Sequence, residues 1–336
     1  MAQATFTCPR CFAEVPLRDG AKFCPRCGLS DAQTSAADTS PLQVTVGKRT
    51  YHVLDRVAIG SICNLYRCTF DHEGRQIESI FKIARDARTN DLVLNEADLL
   101  RQLHTADTDG KIGPFLPTVH DSLRYGETGS GAARQRHANV MRFHPEIRSP
   151  ADELYSLAEV REAYPRGLDA RDMAWIWRRL IAVIGFAHSC QVVHGAVLPP
   201  HVLVEPREHK LILIDWCCAT HRPHRDGQPL NIINGGYVNW YKREGAARRA
   251  PTPSLDVSMA ARCMIDLVGG NAESAQFPES FDPALQRYFS RCLGSSLDVK
   301  TDVPKLLADF DQLIEVLWGP RQFRPLTMPE KRSGKT

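Results

Sequence analysis

The chain has 336 residues, 43% apolar and 24% charged, with a formal net charge of +3. That length predicts one large or two domains with ample chain to bury a core, and the composition is that of a globular protein rather than a disordered one. The charge is too small for the whole molecule to act as a nucleic-acid polycation, Arg178 and Arg179 break the best apolar run before the ~20 residues that span a bilayer, and the start MAQATFTC lacks the basic and apolar segments of a signal peptide, so a reducing, cytoplasmic setting is the expectation.

There are eleven cysteines. Cys8, Cys11, Cys24 and Cys27 make the pattern C-x2-C-x12-C-x2-C, two CPRC steps within residues 5–29. So short a stretch cannot bury a core without a staple. Four thiolates satisfy tetrahedral Zn²⁺ at about 2.3 Å, and Pro together with Gly28 permits turns that aim both sulfurs of a step at one ion. A redox C-x-x-C would be a single motif beside a βαβ unit, not two at this spacing. The stretch resembles a zinc ribbon, and four protein ligands make its zinc structural. Cys63, Cys68, Cys190, Cys217, Cys218, Cys263 and Cys292 are scattered in apolar or mixed segments and read as small buried hydrophobes.

Residues 30–43 are small, polar and aperiodic, a flexible linker by composition. The larger domain is expected over residues 44–320. Strands are predicted at Tyr51 to Val57, at Ile62 to Phe70 and at a third run ending IESIFKI, which places Lys82 among Ile80, Phe81 and Ile83. A helix from Asp91 to Leu103 repeats Leu92, Leu99, Leu100 and Leu103 at helical spacing and carries Glu96. Leu116 to Tyr125 and His137 to Phe143 complete a five-stranded layer. Asp152 to Tyr164 and Ala170 to Ser189 read as helices, the second with Met173, Ile176, Trp177, Leu180, Ile184 and Ala187 on one face.

Val192 to Cys217 is the stretch around which the rest of the chain is organised. A His-Gly-Ala turn at His194 leads through Pro199 and Pro200 to His201. Two apolar runs, Val202 to Val204 and Leu211 to Ile214, are joined by a polar turn, a hairpin by length and composition, and Asp215 follows its second strand. Residues 221–249 carry six Lys or Arg against two acids, which suits a solvated loop or a docking strip for an acidic partner. A last helix from Pro304 to Trp318 is stopped by Gly319 and Pro320, and residues 321–336 form a basic tail expected to be mobile.

This constellation resembles eukaryotic-type Ser/Thr protein kinases, whose catalytic loop reads H-R-D-L-x-x-x-N and whose metal-binding turn reads D-F-G. His194 matches the motif His, and Asp215-Trp216 match the Asp-Phe pair 21 residues on. The resemblance implies an α+β, bilobal kinase-like fold, with a β-rich N-lobe and a helical C-lobe, preceded by the small zinc ribbon. It implies nucleotide binding by Lys82, the strand lysine that pairs α- and β-phosphates, and by its partner Glu96, 14 residues later. Gly60 falls on the second glycine of the phosphate loop, with Ala58 and Cys63 in place of the first and third. Asp256 matches the acid that anchors the catalytic loop, Glu244 keeps one residue of A-P-E, and Lys300 lies where that acid's Arg partner is usual. Met141 to His144 falls at the adenine hinge.

The departures are concentrated. Ala196 replaces the catalytic base, Leu198 the phosphate-contacting Lys, and His201 the metal-ligand Asn. Nucleotide-holding groups are kept while groups that act on the transferring phosphoryl are lost. The expected function is a nucleotide-binding pseudokinase or regulatory module, meeting protein partners through the ribbon or the basic 221–249 loop, with structural Zn²⁺ and ATP with Mg²⁺ or Mn²⁺ as cofactors. The alternative is an active atypical Ser/Thr kinase, since phosphoryl transfer depends mainly on positioning and charge stabilisation.

Overall fold

The computed structural model describes residues 5–7, 14–16, 42–125, 135–143, 153–222, 230, 233–243, 250–293 and 302–329. It divides into two compact units, Met1–Leu94 with Val119–Arg142, and Asn95–Thr118 with Phe143–Thr336.

In the first unit, strands β1 (Thr5–Thr7) and β2 (Glu14–Pro16) pair antiparallel, with Thr7 opposite Glu14. Cys8, Cys11, Cys24 and Cys27 lie outside the described residues. A six-stranded sheet comes next in the chain: β3 (Leu42–Val46), β4 (Arg49–Ile59), β5 (Cys63–His72), β6 (Arg75–Ala84), β7 (Thr118–Tyr125) and β8 (Arg136–Arg142), in the order β3-β4-β5-β6-β8-β7. Strand β3 begins inside the stretch expected to be linker and adds a sixth strand to the five expected. The alternation in LQVTV explains it: Val44 is buried in the core and Val46 packs against it. The two-residue turn at Gly47, with φ +58°, then returns the chain into β4.

Tyr51, Phe70, Phe81, Ile83 and Val140 are the bulk of this core. Strand β6 is buried from Ser79 onward because β5 and β8 flank it, so its run of large apolar residues has water on neither side. At the sheet's far strands, Asp121 accepts from Arg49 at 2.8 Å and from the Tyr51 hydroxyl, joining β7 to β4 by a charge-assisted network.

The unit boundary falls within helix α1 (Asn90–Ala106), after Leu94. In the second unit, β9 (Tyr155–Ser156) precedes α2 (Leu157–Ala163), where one helix from Asp152 was expected. Ser156 is the reason: its hydroxyl accepts from the Glu159 N–H, and Glu159 Oε2 accepts from the Ser156 N–H at 2.6 Å, a capping box that starts the helix after it. Helix α3 (Ala170–Ser189) has the predicted bounds and buried face, with Asp169 as its N-cap. It packs with α5 (Pro253–Leu267), α6 (Pro283–Leu293) and α7 (Val303–Trp318). Trp177 is fully buried, donates to Tyr288 Oη at 3.1 Å, and meets Phe289 and Phe310 edge to face. Gly185 lets α7 approach closely, since a Cβ there would lie 2.7 Å from Val303 Cγ1.

Strands β11 (Val202–Glu205) and β12 (Lys210–Leu213) form the expected hairpin, and β9 joins its outer edge. A second pair, β10 (Val192–Val193) with β13 (Thr220–His221), closes the loop between them. Helix α4 (Val238–Arg243) lies between β13 and α5 in the chain. Five of the seven scattered cysteines are buried, and burial pushes the Cys68 and Cys292 thiols up to about 12, as for inert core residues.

The tail departs from expectation. Residues 321–329 are held against the second unit: Leu326 is buried, Arg324 pairs with Asp172 and Asp169 at 3.4 and 3.5 Å, and its carbonyl meets His209 Nε2 at 2.5 Å. Basic composition suggested solvent, but Arg324 faces acids at the start of α3 and Arg321 pairs with Asp311 on α7 at 2.7 Å. Among the described residues, no helix is long and apolar enough to cross a membrane.

Candidate functional site

The turn at His194 is built on one buried carboxylate. Asp256, on the first turn of α5, accepts from the His194 and Gly195 backbone N–H groups at 2.8 Å each, and its Oδ2 lies 2.9 Å from His188 Nε2. Gly195 has φ +73°, a backbone conformation that strains any residue with a Cβ, and a Cβ there would also displace Leu230 Cδ2 at 2.7 Å. His194 is buried, and desolvation pushes its pKa down to about 4. The neutral ring donates from Nε2 to the Ile214 carbonyl and accepts the Ala196 N–H at Nδ1, which ties the turn to the end of the hairpin. Trp216 packs edge to face on it, with centroids 4.5 Å apart.

Ala196, Leu198, His201 and Asp215 are brought together in this unit. Ala196 and Leu198 are buried and present no polar side-chain atom. His201, on a short 3-10 turn that opens β11, spans the space between them and Asp215. Its Nδ1 lies 2.8 Å from the Ala196 carbonyl oxygen and its Nε2 3.2 Å from Asp215 Oδ2. The ring therefore bridges a backbone carbonyl and a carboxylate.

Asp215 itself has left-handed backbone angles, φ 65° and ψ 59°, uncommon for a residue with a Cβ and typical of constrained functional turns. Helix α1 pins the segment after it. Glu96, fully buried, accepts the Trp216 N–H at 3.1 Å, Asn95 donates to the Ala219 carbonyl at 3.0 Å, and Gln102 meets His221 at 3.2 Å. Glu96 thus orders the turn that carries Asp215, a contact that spacing alone did not reveal.

One donor atom each from Glu96, Asp215 and Cys217 lies within 4.8 Å of the others. Cys217 was read from sequence only as a buried hydrophobe; its place two residues after Asp215, beside a carboxylate, was the available signal. Mg²⁺ takes near-ideal octahedral oxygen coordination. Here the Asp215 carboxylate faces an imidazole on one side and a thiol on the other, a donor set suited to softer ions. These residues do not fit a Mg²⁺ pair.

Gly60 and Lys82 belong to the first unit. Lys82 is buried on β6, with only 4% of its surface exposed, in register with Leu65 on β5 and Asn139 on β8. An ammonium so placed requires partners. Gly60 sits in the β4–β5 turn, where its N–H donates to the Cys63 carbonyl at 2.8 Å and its carbonyl accepts from Arg85 Nη1 at 3.0 Å. Its backbone donor is thereby committed inside the turn rather than turned outward toward a phosphate. Glu244 and Lys300 lie outside the described residues, as does most of the basic 221–249 segment.

No protein-family model and no curated sequence matches the chain. Among solved structures, the chain is similar to one titled as the crystal structure of the BubR1 kinase domain. The TM-score is 0.59 with 13% identity, over 82% of this chain and 84% of that one. At that identity the likeness is one of fold.

Proposed function

Starting from a protein kinase-like fold, we propose that the chain is a pseudokinase: a binding and regulatory module that holds nucleotide weakly and does not transfer its phosphoryl group. The His201 bridge carries this conclusion. At the place of the catalytic carboxylate there is a buried methyl group, and the neighbouring Ala196 carbonyl is engaged by His201 Nδ1 at 2.8 Å. The same ring reaches Asp215 at 3.2 Å, so an imidazole stands against the carboxylate that would otherwise face a metal ion. A base of this kind contributes about 10²–10⁴-fold to a reaction.

Lys82, Glu96 and Asp215 are the nucleotide-binding residues in this proposal. Affinity is low because the Gly60 N–H is consumed within its own turn. Zn²⁺ on Cys8, Cys11, Cys24 and Cys27 is structural, and protein partners are engaged through that ribbon or the basic 221–249 loop.

The test is phosphoryl transfer from radiolabelled ATP, with Mg²⁺ and with Mn²⁺. The native chain is expected to be silent, and the triple change Ala196→Asp, Leu198→Lys, His201→Asn to give measurable transfer. Single changes should do little, because residues acting as a unit are strongly non-additive. Circular dichroism of the triple variant guards against misfolding, since the new Asp enters a position only 3% exposed. High activity in the native chain, abolished by His201→Ala, overturns the proposal in favour of an atypical kinase.

A further inference from the structure

Helix α3, helix α7 and residues 319–324 line a half-open cavity of about 450 Å³ within the second unit. Small-molecule sites run from roughly 300 to 1,000 Å³. None of His194, Ala196, His201 and Asp215 lines it.

Part of the wall is aromatic. Trp175 stacks face to face on His209, with centroids 4.1 Å apart and planes within 3° of parallel, and Phe323 meets the same imidazole at 4.5 Å. The lining also holds five arginines and no carboxylate. Acids at the margin match three of the five. Asp311 pairs with Arg178 at 2.5 Å and with Arg321 at 2.7 Å, and Arg324 pairs with Asp172 at 3.4 Å.

Arg171 and Arg179 have no carboxylate partner among the described residues. Each lies instead over a ring, Arg171 on Trp318 and Arg179 on Phe115, both at 5.7 Å. Arg179 is half-buried beside Arg178, and desolvation together with that like charge lowers its pKa. Its charge is therefore held where a bound anion would relieve it.

These features call for one kind of ligand. Guanidinium groups recognise phosphate and carboxylate through paired N–H donors. Stacked rings and cation–π contacts favour a flat aromatic body. We propose that this cavity binds a small aromatic anion, a planar ring bearing a phosphate or a carboxylate, with its head group on Arg171 and Arg179 and its ring against the Trp175–His209 stack. The site is separate from nucleotide binding and stands whether or not the chain transfers phosphate.

The experiment is calorimetric titration of the full chain with phenyl phosphate and with phenylacetate, using inorganic phosphate and phenol as the half-ligands. One saturable site per chain is expected for at least one aryl anion, roughly tenfold or more tighter than either half-ligand, because hydrogen bonds to charged groups and ring burial each contribute. The better of the two aryl anions identifies the head group. Arg171→Gln, at an exposed position, should weaken binding by roughly tenfold without touching the fold. Arg179→Gln should do the same, and Lys82→Met should leave binding unchanged. No saturable binding of either aryl anion at millimolar concentration refutes the proposal, as does undiminished binding in Arg171→Gln.

Discussion

Replacing Asp256 with Ala removes the acceptor on which the His194 turn is hung. The carboxylate is fully buried, takes two backbone N–H groups at 2.8 Å and meets His188 at 2.9 Å. Hydrogen bonds to a charged group are worth about 1.5–3 kcal/mol each, so losing the two backbone bonds costs about 3–6 kcal/mol. Deleting a buried charge returns part of its desolvation cost, which sets the expectation near ~4 kcal/mol. Asn, which keeps one oxygen acceptor, should cost roughly half as much. Urea unfolding followed by tryptophan fluorescence reads this directly, because all five tryptophans, Trp175, Trp177, Trp216, Trp240 and Trp318, belong to the second unit. A loss below about 1 kcal/mol for the Ala variant, within the range of a single neutral hydrogen bond, would refute Asp256 as the anchor of the turn.

Desolvation, reinforced by Arg49 and Arg142, pushes the pKa of His120 down to about 4, so the folded ring is neutral where the unfolded one takes up a proton. Its contribution is present above pH ~6.5 and is lost as pH falls toward 4, and His120→Phe, which keeps the edge contact on Phe70, should flatten the fall in thermal stability between those values. Elemental analysis should find one zinc per full chain and none after removal of residues 1–40, with the remaining fold intact by circular dichroism; zinc persisting in the shortened chain would remove the four-cysteine assignment. ATP should raise the melting temperature only modestly through ligand linkage, and Lys82→Met should abolish the shift; an unchanged shift would take Lys82 out of nucleotide binding.

How much was legible in the chain depended on how local the cause was. Helix α3 has the bounds its periodicity predicted because its apolar stripe and Asp169 cap are both contiguous in sequence. The hairpin of β11 and β12 arose from two short apolar runs and a polar turn. Helix α2 was misjudged at its start because the deciding signal, the reciprocal Ser156–Glu159 cap, outranks propensity in the residues before it. Strand β3 was hidden because it starts at the end of a polar, small-residue stretch and alternates over only five residues, a pattern too short to stand out until β4 supplies its partner.

The candidate site divides along the same line. Residue types at motif spacing placed His194, Ala196, Leu198, His201 and Asp215 in one candidate site, with Ala, Leu and His where the kinase resemblance expects an acid, a lysine and an amide. Spacing could not say what His201 does in their place, because a ring's role is set by the acceptors at its two nitrogens, and these come from backbone and side chain 5 and 14 residues away in sequence. Nor could it show that the Gly60 N–H is spent within its turn, or that a tail of basic composition packs on the acids opening α3. Composition and periodicity act through each residue's own preference for water and backbone geometry, which the chain carries with it. Pairing of charges and satisfaction of buried donors depend on which remote atoms arrive within about 3 Å, and only the folded structure decides that.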